Sequence, residues 1–150
     1  MIITFAGHSD TRISKDLSER IKNAIISTTK NCESVSFYLG GYGNFDNHCA
    51  MICREIKSTL PHCEIIFVTP YITIQQQEKM KQLLKANIYD STLYPPIENT
   101  PPKFAISKRN EWMISEADLV ICYVRRDFGG AYKSLCYAKR KNKRFINLAE

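Results

Sequence analysis

An α/β fold around a mostly parallel sheet is the class this sequence predicts, and three observations predict it. Short apolar runs alternate with helically spaced apolar residues from one end of the chain to the other. The run Ile65-Ile66-Phe67-Val68 is continuously apolar, as a strand covered on both faces must be. All six glycines fall between the end of an expected strand and the start of the next helix.

In order, Ile2–Ala6 is the first strand and Gly7-His8-Ser9-Asp10 a turn. Ile13, Leu17, Ile21, Ala24 and Ile25 then recur at helical spacing. Val35–Leu39 is the second strand and ends in Gly40-Gly41-Tyr42-Gly43. The next helix places Cys49, Cys53, Ile56 and Leu60 on one face and is closed by Pro61. Glu64–Thr69 is the third strand, followed by a helix carrying Met80, Leu83 and Leu84. Ile88–Leu93 is a candidate short strand, outside the five on which the sheet is counted. Tyr94–Lys103 holds four prolines and reads as a surface loop. Phe104–Ser115 is helical, Leu119–Val124 a strand, Gly130–Lys141 a helix and Phe145–Leu148 the last strand. No repeat and no linker divides the chain, so residues 1–150 read as one domain of five strands.

Composition bounds the function. With 44% apolar and 11% aromatic residues among 150, the chain can bury a real core. A disordered tail, a coiled coil and a collagen-like rod are excluded. No apolar run approaches a bilayer span, and the N-terminal strand has no basic flank or cleavage site, so a cytoplasmic location is expected. The six cysteines contain no Cys-x-x-Cys pair, and His48 and His62 complete no zinc spacing, so buried free thiols and no metal are expected. The net charge of +6, concentrated toward the C-terminus, favours anionic partners.

The glycines indicate where such a partner would bind. In open α/β sheets, ligands lie beyond the carboxyl ends of the strands. Glycine there allows close backbone approach, and the following helix offers free N–H groups to a phosphate. Gly7, Gly40, Gly41, Gly43, Gly129 and Gly130 therefore mark one rim that grips a phosphate-bearing molecule. Gly41-x-Gly43 lacks the third glycine of Gly-x-Gly-x-x-Gly, and no Gly-x-x-x-x-Gly-Lys-Ser/Thr is present. Ordinary nicotinamide and P-loop chemistry are disfavoured, and no cofactor is implied.

Several of these elements, in order, resemble a known superfamily. Phe5-Ala6-Gly7-His8 follows the first strand and Gly40-Gly41-Tyr42-Gly43-Asn44-Phe45-Asp46 the second. Arg109-Asn110-Glu111-Trp112-Met113 leads into Ala117-Asp118-Leu119-Val120-Ile121, and Gly129-Gly130-Ala131 opens a helix carrying Tyr137-Ala138. Together they resemble the SLOG superfamily, in its branch of small stand-alone bacterial and phage proteins. The resemblance implies a Rossmann-like domain with helices on both sheet faces that binds nucleotide-derived ligands, as a sensor or a sequestering sponge. Its relatives include the Lonely Guy enzymes, which cleave the N-glycosidic bond of nucleoside monophosphates, and the fold of DNA-processing protein A. Against the Lonely Guy pattern Pro-Gly-Gly-x-Gly-Thr-x-x-Glu, Leu39 replaces the proline, Asn44 the threonine and Asn47 the glutamate.

The candidate ligand-binding residues are Gly7, His8 and Ser9; Gly40, Gly41, Tyr42, Gly43, Asn44 and Asp46; Arg109; and Gly129, Gly130, Ala131 and Lys133. Asp46 sits at or near a helix N-cap, where it would satisfy free N–H groups. It would otherwise hold a ribose hydroxyl or, in an enzyme, serve as the catalytic acid or base. Tyr42 would stack on a base, and Arg109 would offer its planar fork to a phosphate. A nucleotide-derived small molecule is the expected ligand and a nucleotide N-glycosidase the alternative. Nucleic-acid binding is a third reading, from the likeness to the DNA-processing protein A fold and the charge of +6, and nucleic acid is disfavoured as a partner because no interleaving of aromatic and basic residues is evident. A homo-oligomer is expected and a membrane partner is not.

Overall fold

The computed structural model describes residues 1–150. Six parallel strands form one sheet: β1 (Ile2–Gly7), β2 (Ser34–Leu39), β3 (His62–Val68), β4 (Ser91–Leu93), β5 (Leu119–Tyr123) and β6 (Arg144–Asn147). Their order is β4-β3-β2-β1-β5-β6. Five α-helices connect them: α1 (Lys15–Thr29), α2 (Asn44–Ile56), α3 (Ile74–Lys85), α4 (Ala105–Glu116) and α5 (Gly130–Arg140).

Each helix follows from its local sequence. Ser14 caps α1 by accepting a hydrogen bond from the Leu17 N–H at 3.0 Å, and Leu17, Ile21, Ile25 and Thr29 make its buried stripe. In α2 the stripe is Phe45, Cys49, Ile52, Cys53 and Ile56. Thr73 caps α3, whose one buried residue is Met80.

Strand side chains alternate between two cores. Ile3 and Phe5 of β1 join α1, α2 and α3 on one face. Ala6 joins Ile114 of α4 with Leu135 and Ala138 of α5 on the other. The helices thus divide by face, as right-handed crossovers require when the chain grows outward from β1 and then returns to β1's other side.

The structure corrects the strand count from five to six. Ser91, Thr92 and Leu93 pair with Ile66, Phe67 and Val68. A three-residue edge strand with one neighbour needs no continuous apolar run, so its pattern is weak. Cys49, Cys53, Cys63 and Cys122 are buried. Burial pushes their thiols up, Cys122 to about 12, so they are protonated apolar fillers at neutral pH. No helix is long and apolar enough to cross a membrane.

Candidate functional site

The chain reverses its direction of growth between β1 and β5, which are neighbours in the sheet. A crevice outside the carboxyl ends of the strands is expected at that switch point. A cavity of about 220 Å³ lies there. Thr4–Ser9 of β1 and its loop form one wall, and Tyr42 and Asp46 a second. Ile106, Arg109, Asn110, Met113 and Ile114 of α4 form a third, and Arg126, Phe128–Ala131 and Ser134 close it.

The segment after β5 is pinned by side chains from both neighbouring strands. Asn147 accepts from the Val124 N–H at 3.0 Å and donates to the Val124 carbonyl at 3.1 Å. His8 Nε2 accepts from the Arg125 and Arg126 N–H groups at 3.1 and 3.3 Å. The ring must be neutral and carry its proton on Nδ1 to do so. Burial, and then the Arg126 charge, lower the His8 pKa, which favours that form. Beyond the pinned residues the chain reaches Gly129, at φ +90°, and α5 begins with no side chain capping it. Its first N–H groups are thus left without a side-chain cap, and Gly129, Gly130 and Ala131 line the cavity.

The six glycines divide into two kinds. A Cβ on Gly7 would fall 2.3 Å from the Phe45 ring, and one on Gly40 would fall 2.7 Å from the Arg109 guanidinium carbon. Gly41 and Gly43 press against Phe67 and Ser9 and take positive φ. These four allow the loops to pack. Gly129 and Gly130 have nothing within 4 Å of an added Cβ. Their missing side chains leave open space over the N-terminus of α5, a cradle of the kind a phosphate fits.

Arg109 is 2% exposed. Its Nη1 donates to the carbonyls of Gly40 and Val68 at 3.1 and 3.0 Å, and its Nε to Asn110 Oδ1 at 3.0 Å. The guanidinium expected to grip a phosphate thus ties α4 to the carboxyl ends of β2 and β3, while still lining the cavity. Asp46 lies in the first turn of α2, not at its N-cap, which is Gly43. Burial pushes its carboxyl up to about 7, against the opposing pull of the Arg109 charge and the Tyr42 backbone amide. A carboxyl half-protonated near neutrality can donate or accept a hydrogen bond.

Of the remaining expected residues, Ser9, Tyr42 and Ala131 line the cavity, and Asn44, Lys133 and the glycines 40, 41 and 43 do not. The Asn44 N–H bonds the Ser9 carbonyl at 2.9 Å and its side chain reaches the Thr11 carbonyl at 3.4 Å, so it holds loops together. Lys133 is exposed on the first turns of α5. Phe128 and Arg126 were absent from the expected set. Phe128 is 61% exposed and Tyr42 65%, and both line the same cavity. Arg126 stacks 5.2 Å from the Phe128 ring and forms a two-pronged ion pair with Asp10 at 2.8 and 3.2 Å. Their signal was the position of Arg126-Asp127-Phe128 directly before the glycine pair.

A doubly wound Rossmann-like domain, with its crevice at the switch point and an uncapped glycine-opened helix facing it, is the class this geometry defines. Among solved structures it is similar to DNA processing protein A from Streptococcus pneumoniae, with a TM-score of 0.65 and 16% identity. The match covers 95% of this chain and 48% of that one, so this chain spans about half its length. It is also similar to DNA processing protein A from Helicobacter pylori, with a TM-score of 0.61 and 18% identity over 100% of this chain and 67% of that one. This likeness shows the Rossmann-like fold of those proteins. No protein-family model matches the sequence, and no curated protein matches it either. The Helicobacter pylori protein is described by its single-stranded DNA binding mode. That overturns the expectation that disfavoured nucleic acid: a chain of this fold does bind a strand. Tyr42 and Phe128 lie far apart in sequence, and the fold brings both to the lining of one cavity.

Proposed function

We propose that this chain binds single-stranded nucleic acid, seating one phosphate at the N-terminus of α5 and stacking bases on Tyr42 and Phe128. The observation that carries this reading is the pair of exposed aromatic rings flanking the cavity that the Gly129-Gly130 cradle opens. Exposed rings beside fixed cations are what sequence-tolerant strand binders use, since every base has a π-face. The net charge of +6 and the strand-binding neighbour support it.

The test is fluorescence anisotropy of a labelled oligodeoxythymidylate. Base stacking contributes roughly 1–3 kcal/mol per base, so Tyr42→Ala and Phe128→Ala should each weaken binding roughly 5- to 150-fold. A wild-type protein that leaves the strand free at low salt, or two variants as tight as wild type, would overturn the reading.

A second reading is a nucleotide-derived small molecule, sensed, sequestered or cleaved at its N-glycosidic bond. Asp46 favours it: a buried carboxyl with a pKa near 7 on the cavity wall suits a sugar hydroxyl or general acid–base work. Denaturing the purified protein and identifying any released nucleotide by mass spectrometry separates the two. Free base and sugar phosphate formed over many turnovers would establish the glycosidase.

A further inference from the structure

A second cavity, of about 570 Å³, opens on the other side of the segment that follows β5. The two cavities share His8 and Arg126 and no other residue. Arg12, Arg125 and Arg126 line the second one, with Asp10 as its single carboxylate. Asp10 is committed to Arg126. Arg12 and Arg125 are exposed, and neither has a carboxylate within ion-pairing distance or a side-chain hydrogen bond to the protein. Ser14, the cap of α1, lies on the same wall.

Two uncommitted guanidinium groups lining one hollow are free to take an anion between them. Each fork matches the paired oxygens of a phosphate. From these arginines we infer that the second cavity is a phosphate subsite, taking the next backbone phosphate of a strand whose neighbouring nucleotide occupies the first cavity. The inference rests on the strand-binding reading above and narrows it: the substrate is a polynucleotide with successive phosphates, and a lone nucleoside monophosphate would leave the arginines unused. Arg126 stands between the subsites, with Asp10 fixing its orientation and Phe128 beneath its plane. His8 fixes the backbone of Arg125 and Arg126, so the wall between the subsites is rigid while the strand crosses it.

The experiment uses the intact chain and the double variant Arg12→Ala/Arg125→Ala. Both side chains are exposed and unpaired, so the fold should survive, which circular dichroism and thermal melting check. The probes are thymidine 5′-monophosphate, thymidine 5′-diphosphate and an oligodeoxythymidylate about ten nucleotides long. Charge-assisted contacts of this kind predict an oligomer affinity lower by roughly 10- to 150-fold. Each lost phosphate contact should also flatten the slope of log affinity against log salt by about 0.7. Monophosphate affinity should stay unchanged. An oligomer affinity and salt slope equal to wild type would overturn the second subsite while leaving strand binding intact. An equal loss on the monophosphate would assign the arginines to the first cavity, and a loss on the diphosphate without one on the oligomer would assign them to a free nucleotide; either overturns the track. A wild-type protein that binds no oligomer removes the strand reading and the subsite together.

Discussion

A Cβ added at Gly130 would meet nothing within 4 Å, and one added at Gly40 would meet a buried guanidinium at 2.7 Å. Gly130→Val should therefore leave stability within about 0.5 kcal/mol of wild type and abolish strand binding, because the branched side chain fills the cradle. Gly40→Ala should cost roughly 1–3 kcal/mol through overpacking. Urea unfolding beside anisotropy checks both, and the opposite pattern would show that the cradle lies at the second loop. Asp46 gives a residue-level signature in pH. Its carboxyl titrates near 7 in the folded chain, above the ordinary 3.8. Between those values the folded protein holds a proton that the unfolded chain has released. Stability attributable to Asp46 must therefore fall as pH rises from about 4 to about 7 and level off above. Asp46→Asn, which cannot ionise, should match wild type near pH 4 and exceed it by up to a few kcal/mol near pH 8. Equal stabilities at both ends would mean that folding leaves the carboxyl at its ordinary pKa.

At the scale of elements, the site is a meeting of loops held by long side chains. Arg109 reaches from α4 across the sheet edge to carbonyls at the ends of β2 and β3. Removing it orphans two buried acceptors, each worth about 1–3 kcal/mol. Arg109→Met should thus destabilise by roughly 2–6 kcal/mol. It should also raise the Asp46 pKa further, since the Arg109 charge is the larger of the two influences that pull that value down. Equilibrium denaturation measures the first effect, and the pH dependence of stability against the Arg109→Met/Asp46→Asn double variant measures the second. A loss of binding with full stability would instead identify Arg109 as a direct phosphate ligand, the role its sequence position suggested. His8 acts likewise on the segment after β5, where two backbone N–H groups converge on one ring nitrogen. Neither tie could be read from the sequence, because each joins a side chain to backbone atoms of a distant element. A turn histidine or a helical arginine carries no mark of the carbonyl or amide it will meet.

At the scale of the whole molecule, the alternation of apolar runs with helical spacing determined an α/β sheet, its parallel strands and the position of every helix. Strand ends carrying all six glycines determined that the loops there are tight, and they pointed to the carboxyl edge as the place to look for a site. Those are local properties: burial on both faces forces continuous apolar strands, and sharp turns force small residues. The tertiary structure decided the rest. It added β4, whose three residues need only one partner strand. It set β5 beside β1 and so placed the crevice between them. It showed that four glycines make room for Phe45, Arg109, Phe67 and Ser9, while Gly129 and Gly130 keep space open. It brought Tyr42 and Phe128 to one rim and two free arginines to one hollow. Such juxtapositions depend on strand order, and strand order is settled by packing between segments that carry no record of each other in the local sequence.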